Sequence, residues 1–382
     1  MEKSRSTRRI KPSVKRRNGA ADRPLLYVTL SLILIGLIMI YSASSPYAAS
    51  VYGDAAFFFK RTLIYAAVSL FMLWLVSWVD YRRYRRWHVL LYIAAYILCL
   101  LVFVPGLGRD INDARRWIFI GTSISIMPSD FMKIGAILFL AARMCKATAR
   151  EKNSVSSGLL LLLFIGLTIF PIAKQPNFSA VVIISVSLVV LYFVGGGGKK
   201  GLLLISVLLI GGGVLAFFPY PGNYRLERLL STWDPWKDPL SSSWQLIQSL
   251  YAVSSGGWFG TGLGAGSQKF GYLAEEPHND FIFSVICEEW GFAGALLILA
   301  AFLFFSYRGF QIARRARDDF GRYIGYGLTF VVISQALVNI GVAIGLIPTT
   351  GVTLPFVSYG GSSLLAMCVI TGILLNISRD QS

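Results

Sequence analysis

Ten apolar runs, each close to the 20 residues a helix needs to cross a bilayer, dominate this chain and decide which solvent it can fold in. They lie at roughly 25–45, 61–79, 87–104, 129–145, 158–174, 177–195, 201–218, 280–307, 323–347 and 358–377. A bilayer core holds no water for unpaired backbone groups, so each run must satisfy its own N–H and C=O groups as a helix. Composition agrees, with 55% of 382 residues hydrophobic and 14% charged. The expectation is an all-α polytopic membrane protein with ten transmembrane helices over 25–377, a basic tail over 1–24 and a short tail over 378–382. The first run ends in YSASSPYAAS, which imitates a signal-peptide cleavage site. Its length and the nine runs behind it mark it instead as an uncleaved anchor.

A net charge of +17 would suit a nucleic-acid binder, but its distribution argues otherwise. With ten spans the tails and even-numbered loops share one side, and those segments hold 25 of the 36 Lys and Arg, against 11 on the other. By the positive-inside rule both termini are cytoplasmic. The tail KSRSTRRIKPSVKRR is then attracted to anionic lipid. Cys99, Cys145, Cys287 and Cys368 fall in or beside apolar runs without CxxC spacing, as packing residues do.

Two outer segments exceed simple turns: residues 105–128 and the larger loop 219–279 between helices 7 and 8. Their length without obvious secondary structure is a mark of functional loops. The larger one is dense in aromatics, which line grooves or lie on membrane surfaces, and its SSGGWFGTGLGAGSQK glycines allow close backbone approach. It is no phosphate-binding Walker loop, because no Gly-Lys-Ser/Thr opens a helix.

The polar residues at outer helix ends are the chemical candidates. Asp130 and Lys133, three apart, share one helix face if Ser129 caps the fourth helix; they form either an anchoring ion pair or, with Arg115 and Arg116, a cationic site for a phosphorylated ligand. Arg225 and Arg228 stand where a lipid phosphate would lie. Asp234 and Asp238, each before Pro, are turn formers. Asp280 opens the eighth run as a helix cap or as a reactive carboxylate, and Glu288 lies about 12 Å deeper, too far for a tight carboxylate pair. Glu288 and Glu289 need local partners, because ions at membrane depth are costly. Finally, GLIPTTGVTLPFVSYGGSS interrupts the last two runs with Pro and Gly, a break tolerated only where it is buried or lines a cavity.

Together RWIFIG…PSDFMK, RLERLLSTWDPWKDP, QSLYAVSSGGWFGTGLGAGSQK, EPHNDFIF…EE and GLIPTTGVTLPFVSYGGSS resemble the motifs of the SEDS family of cell-wall polymerases, FtsW, RodA and SpoVE, in order from Leu26 to Ile377. YRLERL and DPWKDP look more like the FtsW/SpoVE branch. The resemblance implies a ten-span peptidoglycan glycosyltransferase that polymerises lipid II at the outer face of the cytoplasmic membrane in division or sporulation. It also implies a class B penicillin-binding protein as partner, alongside other division or wall-synthesis proteins. By motif position Asp280 matches the family's essential aspartate, Arg116 and Lys133 its basic residues and Glu276 its preceding acid, while Asp130 stands where glutamate is usual. Lys269 in GSQK and Ser358 in the broken segment complete the substrate-binding candidates. QPNFS departs from the family pattern, since Asn177 replaces a carboxylate.

The chemistry suits these residues: an acceptor hydroxyl loses a proton while a pyrophosphate-lipid leaves, which calls for one base and a few cations. Mg or Mn would suit the pyrophosphate, although the sequence holds no dedicated ligand cluster. Two rival readings remain at this stage, a transporter or flippase of the same lipid-linked precursor and a non-catalytic scaffold for division proteins.

Overall fold

The computed structural model describes residues 19–380 apart from 112–113, 121–123, 153, 218–229, 238, 240–242, 272 and 274–276. Every apolar run is helical for most of its length. Helix α1 (Arg23–Tyr52) begins where the Asp22 carboxylate accepts from the Leu25 amide at 2.9 Å, with Pro24 in the first turn. It runs past the expected end at position 45, through Pro46, and stops at Gly53, whose φ of 69° only glycine adopts without cost. Next come α2 (Phe57–Trp78) and α3 (Tyr81–Leu101), then α4 (Pro128–Met144), the single turn α5 (Ala149–Lys152), α6 (Val155–Lys174), α7 (Phe178–Val194) and α8 (Lys199–Phe217). The chain continues with α9 (Trp244–Ser255), α10 (Ile282–Arg314), α11 (Asp319–Ala343) and α12 (Gly361–Arg379). By length and composition α1, α2, α6, α10, α11 and α12 can cross a membrane.

The shorter outer segment is not the structureless loop expected. Strands β1 (Gly108–Ile111), β2 (Ala114–Ile120) and β3 (Ile124–Ile126) form an antiparallel sheet in that order. The Trp, Ile and Phe residues of RRWIFI fit a pleated, half-buried surface. The expected cap of α4 is also displaced: Met127 holds that position, and Ser129 is buried inside the first turn.

α11 and α12 form the centre, α11 against α10, α7 and α4, and α12 against α2. Leu90, Leu163 and Leu203 project outward from the periphery, an apolar surface suited to lipid tails. The basic segments gather at one end of the bundle. There Gly19 donates to the Arg379 carbonyl at 3.1 Å, Asp22 to Ser378 Oγ at 3.0 Å, and Arg308 to the Asp22 carboxylate.

Two breaks shape the opposite end. Between α11 and α12 the Leu354 amide donates to Ser358 Oγ at 2.8 Å and the Ser358 amide to the Leu354 carbonyl at 3.0 Å, closing a turn that contains Phe356 at φ 65°. α1 touches this turn at Gly36, where a Cβ would stand 2.7 Å from the Phe356 oxygen. The second break is at Gly291 in α10, with φ 68° and ψ −163°. The glycine-rich loop fills the gap. Thr261 and Gly262 amides donate to the Glu288 and Glu289 carbonyls at 2.9 and 3.1 Å, and the Phe292 and Ala293 amides donate to Gly257 and Trp258 at 2.8 and 3.1 Å. Four groups that the kink strips of their helical partners are thus re-paired, as membrane depth requires.

Candidate active site

Strand β2, the entry to α7, the turn before α10 and the break after α11 converge on Gly351. A side chain beginning at Gly351 would meet Arg116 Nη1 at 3.0 Å and Asp280 Oδ2 at 3.8 Å, so a guanidinium and a carboxylate flank the same bare backbone. Arg116 Nη2 also donates to the Pro176 carbonyl at 2.8 Å, which brings in the QPN motif. Asp280 does not cap α10. Phe281 holds the cap position without a side-chain bond, leaving the Asp280 carboxylate, half-buried, facing the cluster.

α11 fixes the backbone of this cluster through two amides that the sequence reading passed over. Asn339 Nδ2 donates to the Asp280 carbonyl at 2.9 Å and to the Val352 carbonyl at 2.7 Å. One turn earlier, Gln335 Nε2 donates to the Thr353 carbonyl at 3.1 Å while its Oε1 accepts from Lys133 Nζ at 2.6 Å. Two amides four residues apart in an apolar span are the signal that reveals them. The buried Thr350 hydroxyl beside Gly351 has no protein partner among the described residues, so a polar group remains open to a ligand there.

The other candidates divide. Asp130 and Lys133 form the anticipated i,i+3 pair at 2.9 Å, both buried, with Ser362 donating to the second Asp130 oxygen at 3.1 Å. Lys133 thus ties α4 to the α11–α12 break through Asp130 and Gln335. Lys269 is buried on Glu289 at 2.7 Å and on Ser42 at 3.0 Å. Glu289 further accepts from Ser42 Oγ and the Gly264 amide, and Glu288 from Ser267 and Gln268 amides, the closest at 2.6 Å. Those bonds answer the cost of two acids at this depth: both glutamates hold the glycine-rich loop. Ser358 serves its own turn. Arg225, Arg228 and Glu276 lie outside the described residues.

His278, two residues before Asp280, is fully buried with its ring 4.2 Å from Phe58 and 5.3 Å from Tyr359. Burial pushes its pKa down to about 3, so it packs as a neutral aromatic at physiological pH. Among the described residues no three His, Cys, Asp or Glu side chains come together as a metal site.

A sequence profile of FtsW, RodA and SpoVE, described as "Cell cycle protein", matches residues 23–382. The chain belongs to this family. Among relatives of this FtsW/RodA/SpoVE protein, the stage V sporulation protein E of Bacillus subtilis is 42% identical over 94% of the chain and 97% of that protein. The probable peptidoglycan glycosyltransferase FtsW of Trichlorobacter lovleyi is 40% identical over 94% of the chain and 93% of its own length. In structure, a chain from a peptidoglycan synthase complex, solved to describe the coordination of polymerization and crosslinking, aligns with a TM-score of 0.77 at 27% identity over 95% of this chain and 98% of that one. The rod shape determining protein RodA of Thermus thermophilus aligns at 0.69 with 26% identity, over the same shares of the two chains.

Proposed function

We propose that this FtsW/RodA/SpoVE protein is a peptidoglycan glycosyltransferase that polymerises lipid II into glycan strands during division or sporulation. The reading rests on one observation, the meeting of Asp280 and Arg116 at Gly351. The cluster lies at the end of the bundle opposite its basic termini, which favours ten spans with both termini cytoplasmic and residues 219–279 outside. Relatives named for this activity favour it over the flippase and scaffold readings. The neighbouring peptidoglycan synthase complex favours a class B penicillin-binding protein as partner.

In this mechanism the acceptor sugar hydroxyl enters the hollow beside Asp280. Its oxygen forms the new bond to the anomeric carbon of the donor, and its proton passes to the Asp280 carboxylate. The bond from that carbon to the pyrophosphate breaks, and its electron pair leaves with the polyprenyl pyrophosphate, whose charge Arg116 meets with its guanidinium. The Pro176 carbonyl orients the guanidinium, and Asn339 sets the Asp280 backbone. Asp130 and Lys133 stiffen the broken segment behind Gly351 and Thr350.

The test is glycan-chain formation from lipid II by purified wild-type and Asp280→Asn protein at matched folded concentration in detergent, where no membrane separates two sides. The amide fills the same space but takes no proton, so the rate should fall by about a hundredfold or more. Comparable rates would leave Asp280 without a chemical role, and no polymerisation by the wild type, alone or with its partner, would return the flippase and scaffold readings.

A further inference from the structure

A second concave site lies at the opposite, basic end. The start of α3, the end of α4 and the turn into α11 surround a cavity of about 420 Å3 lined by Arg82, Arg85, Arg86, Lys146, Asp318 and Phe320. Four of these six side chains are cationic, and the acid among them is already engaged. Asp318 accepts from Tyr81 at 2.9 Å, from Arg82 Nε at 3.0 Å and, as the cap of α11, from the Gly321 amide at 2.7 Å. Arg82 turns the rest of its guanidinium to Asp380, and the neighbouring Asp319 pairs with Arg322 at 3.3 Å. Arg85, Arg86 and Lys146 are exposed, and among the described residues none has a carboxylate partner.

Three unneutralised cations from two helix ends around one hollow repel one another until an anion joins them. Guanidinium forks match phosphate oxygens in particular. The surroundings indicate where such an anion resides. Trp87 and Leu90, adjoining Arg86 on α3, are 46% and 67% exposed, an aromatic and an aliphatic side chain directed outward next to the charges, as at a membrane interface. We propose that this cavity binds a phosphate-bearing anion, the headgroup of an acidic phospholipid from the leaflet at the basic end of the bundle. Its acyl chains would run along the apolar face below Trp87. The proposal is independent of the polymerase reading, since it uses none of the residues around Asp280.

The test uses the full chain in neutral detergent, with dioleoylphosphatidylglycerol, dioleoylphosphatidylcholine or inorganic pyrophosphate added. Bound lipid is counted by native mass spectrometry and stability is followed by thermal unfolding. Phosphatidylglycerol should be retained and protective where phosphatidylcholine is not. Its affinity should fall roughly fivefold per cation in Arg85→Gln/Arg86→Gln/Lys146→Gln. The variant Arg83→Gln/Arg150→Gln/Lys200→Gln removes the same charge from the same end outside the cavity and should leave the affinity nearly unchanged. If the first triple variant does not fold, Arg86→Gln alone carries the comparison against Arg83→Gln. Equal binding of the two lipids, or equal losses in the two sets of variants, would overturn the site, because the general surface field would then account for everything. Protection by pyrophosphate matching that of phosphatidylglycerol, and lost in the same variant, would uphold a phosphate site and overturn the lipid as its occupant.

Discussion

Removing the ammonium of Lys269 should expose how strongly the glycine-rich loop is bound to α10 and α1. The Glu289 carboxylate is 0% exposed and the Lys269 side chain 2%, so in Lys269→Met the acid retains, among the described residues, Ser42 and the Gly264 amide. A buried ion that loses its partner costs about 3–5 kcal/mol, and Glu289→Gln, which strands the ammonium, should cost about as much. The double variant strands no charge. Its amide oxygen still accepts from Ser42 and Gly264, so its loss should be that of an imperfect neutral contact, about 1–3 kcal/mol. The two losses are then far from additive, with a coupling of about 3 kcal/mol or more. Unfolding of the four proteins in mixed micelles, followed by tryptophan fluorescence, gives the cycle. A double variant that loses as much as both single variants together would refute the buried pair. If Lys269 serves only to hold the loop, polymerisation per folded molecule should stay close to wild type in the double variant; a selective loss of rate would assign Lys269 to substrate binding.

Arg116→Ala should lower kcat/KM for lipid II by about tenfold to a hundredfold, the worth of one or two charge-assisted bonds. Arg116→Lys should recover only part of it, because the fork shared between the Pro176 carbonyl and the Gly351 hollow is lost; steady-state polymerisation kinetics decide. Gly351→Ala places a methyl 3.0 Å from the flexible end of Arg116 and should be mild, whereas Gly351→Val should abolish turnover in a protein that still folds, as size-exclusion profiles would check. Asn177 caps α7 through the Ala180 amide and donates to Ser129 Oγ, both at 3.3 Å. Asn177→Asp keeps the cap and lets the Ser129 hydroxyl turn to donate, so activity should persist, while Asn177→Leu should lose about 1–2 kcal/mol in thermal or denaturant unfolding.

The helices were legible because 20 apolar residues have few other uses, and the Asp130–Lys133 pair because three-residue spacing on a helix fixes its own geometry. Asp280 stood out as a carboxylate at the boundary of an apolar run. The partners of Glu288 and Glu289 were partly hidden for a physical reason: half of them are backbone amides of a loop some 20 residues earlier in the chain, and an amide leaves no mark on the sequence. The Pro176 carbonyl that orients Arg116 is invisible on the same ground. The sheet before α4 was missed because its strands are short and interrupted by Gly, Asp and Arg, although RRWIFI carried a β signal. Asn339 and Gln335 were readable as paired amides in an apolar span.

The break at Gly291 has a consequence for how this chain tolerates change over generations. Its repair joins main chain to main chain, so substitutions at Trp258, Phe259, Thr261 and Leu263 leave the joint intact, while the five glycines of 256–264 are held by close backbone contact or left-handed φ. A change of length is another matter. One residue inserted between Gly257 and Gly262 shifts the partners of Phe292 and Ala293 against those of Glu288 and Glu289, and at least one polar group is then stranded where no water reaches it. The segment is therefore fixed in count and at its glycines, and free to drift only at the residues between them, unlike ordinary surface loops, which lengthen and shorten readily.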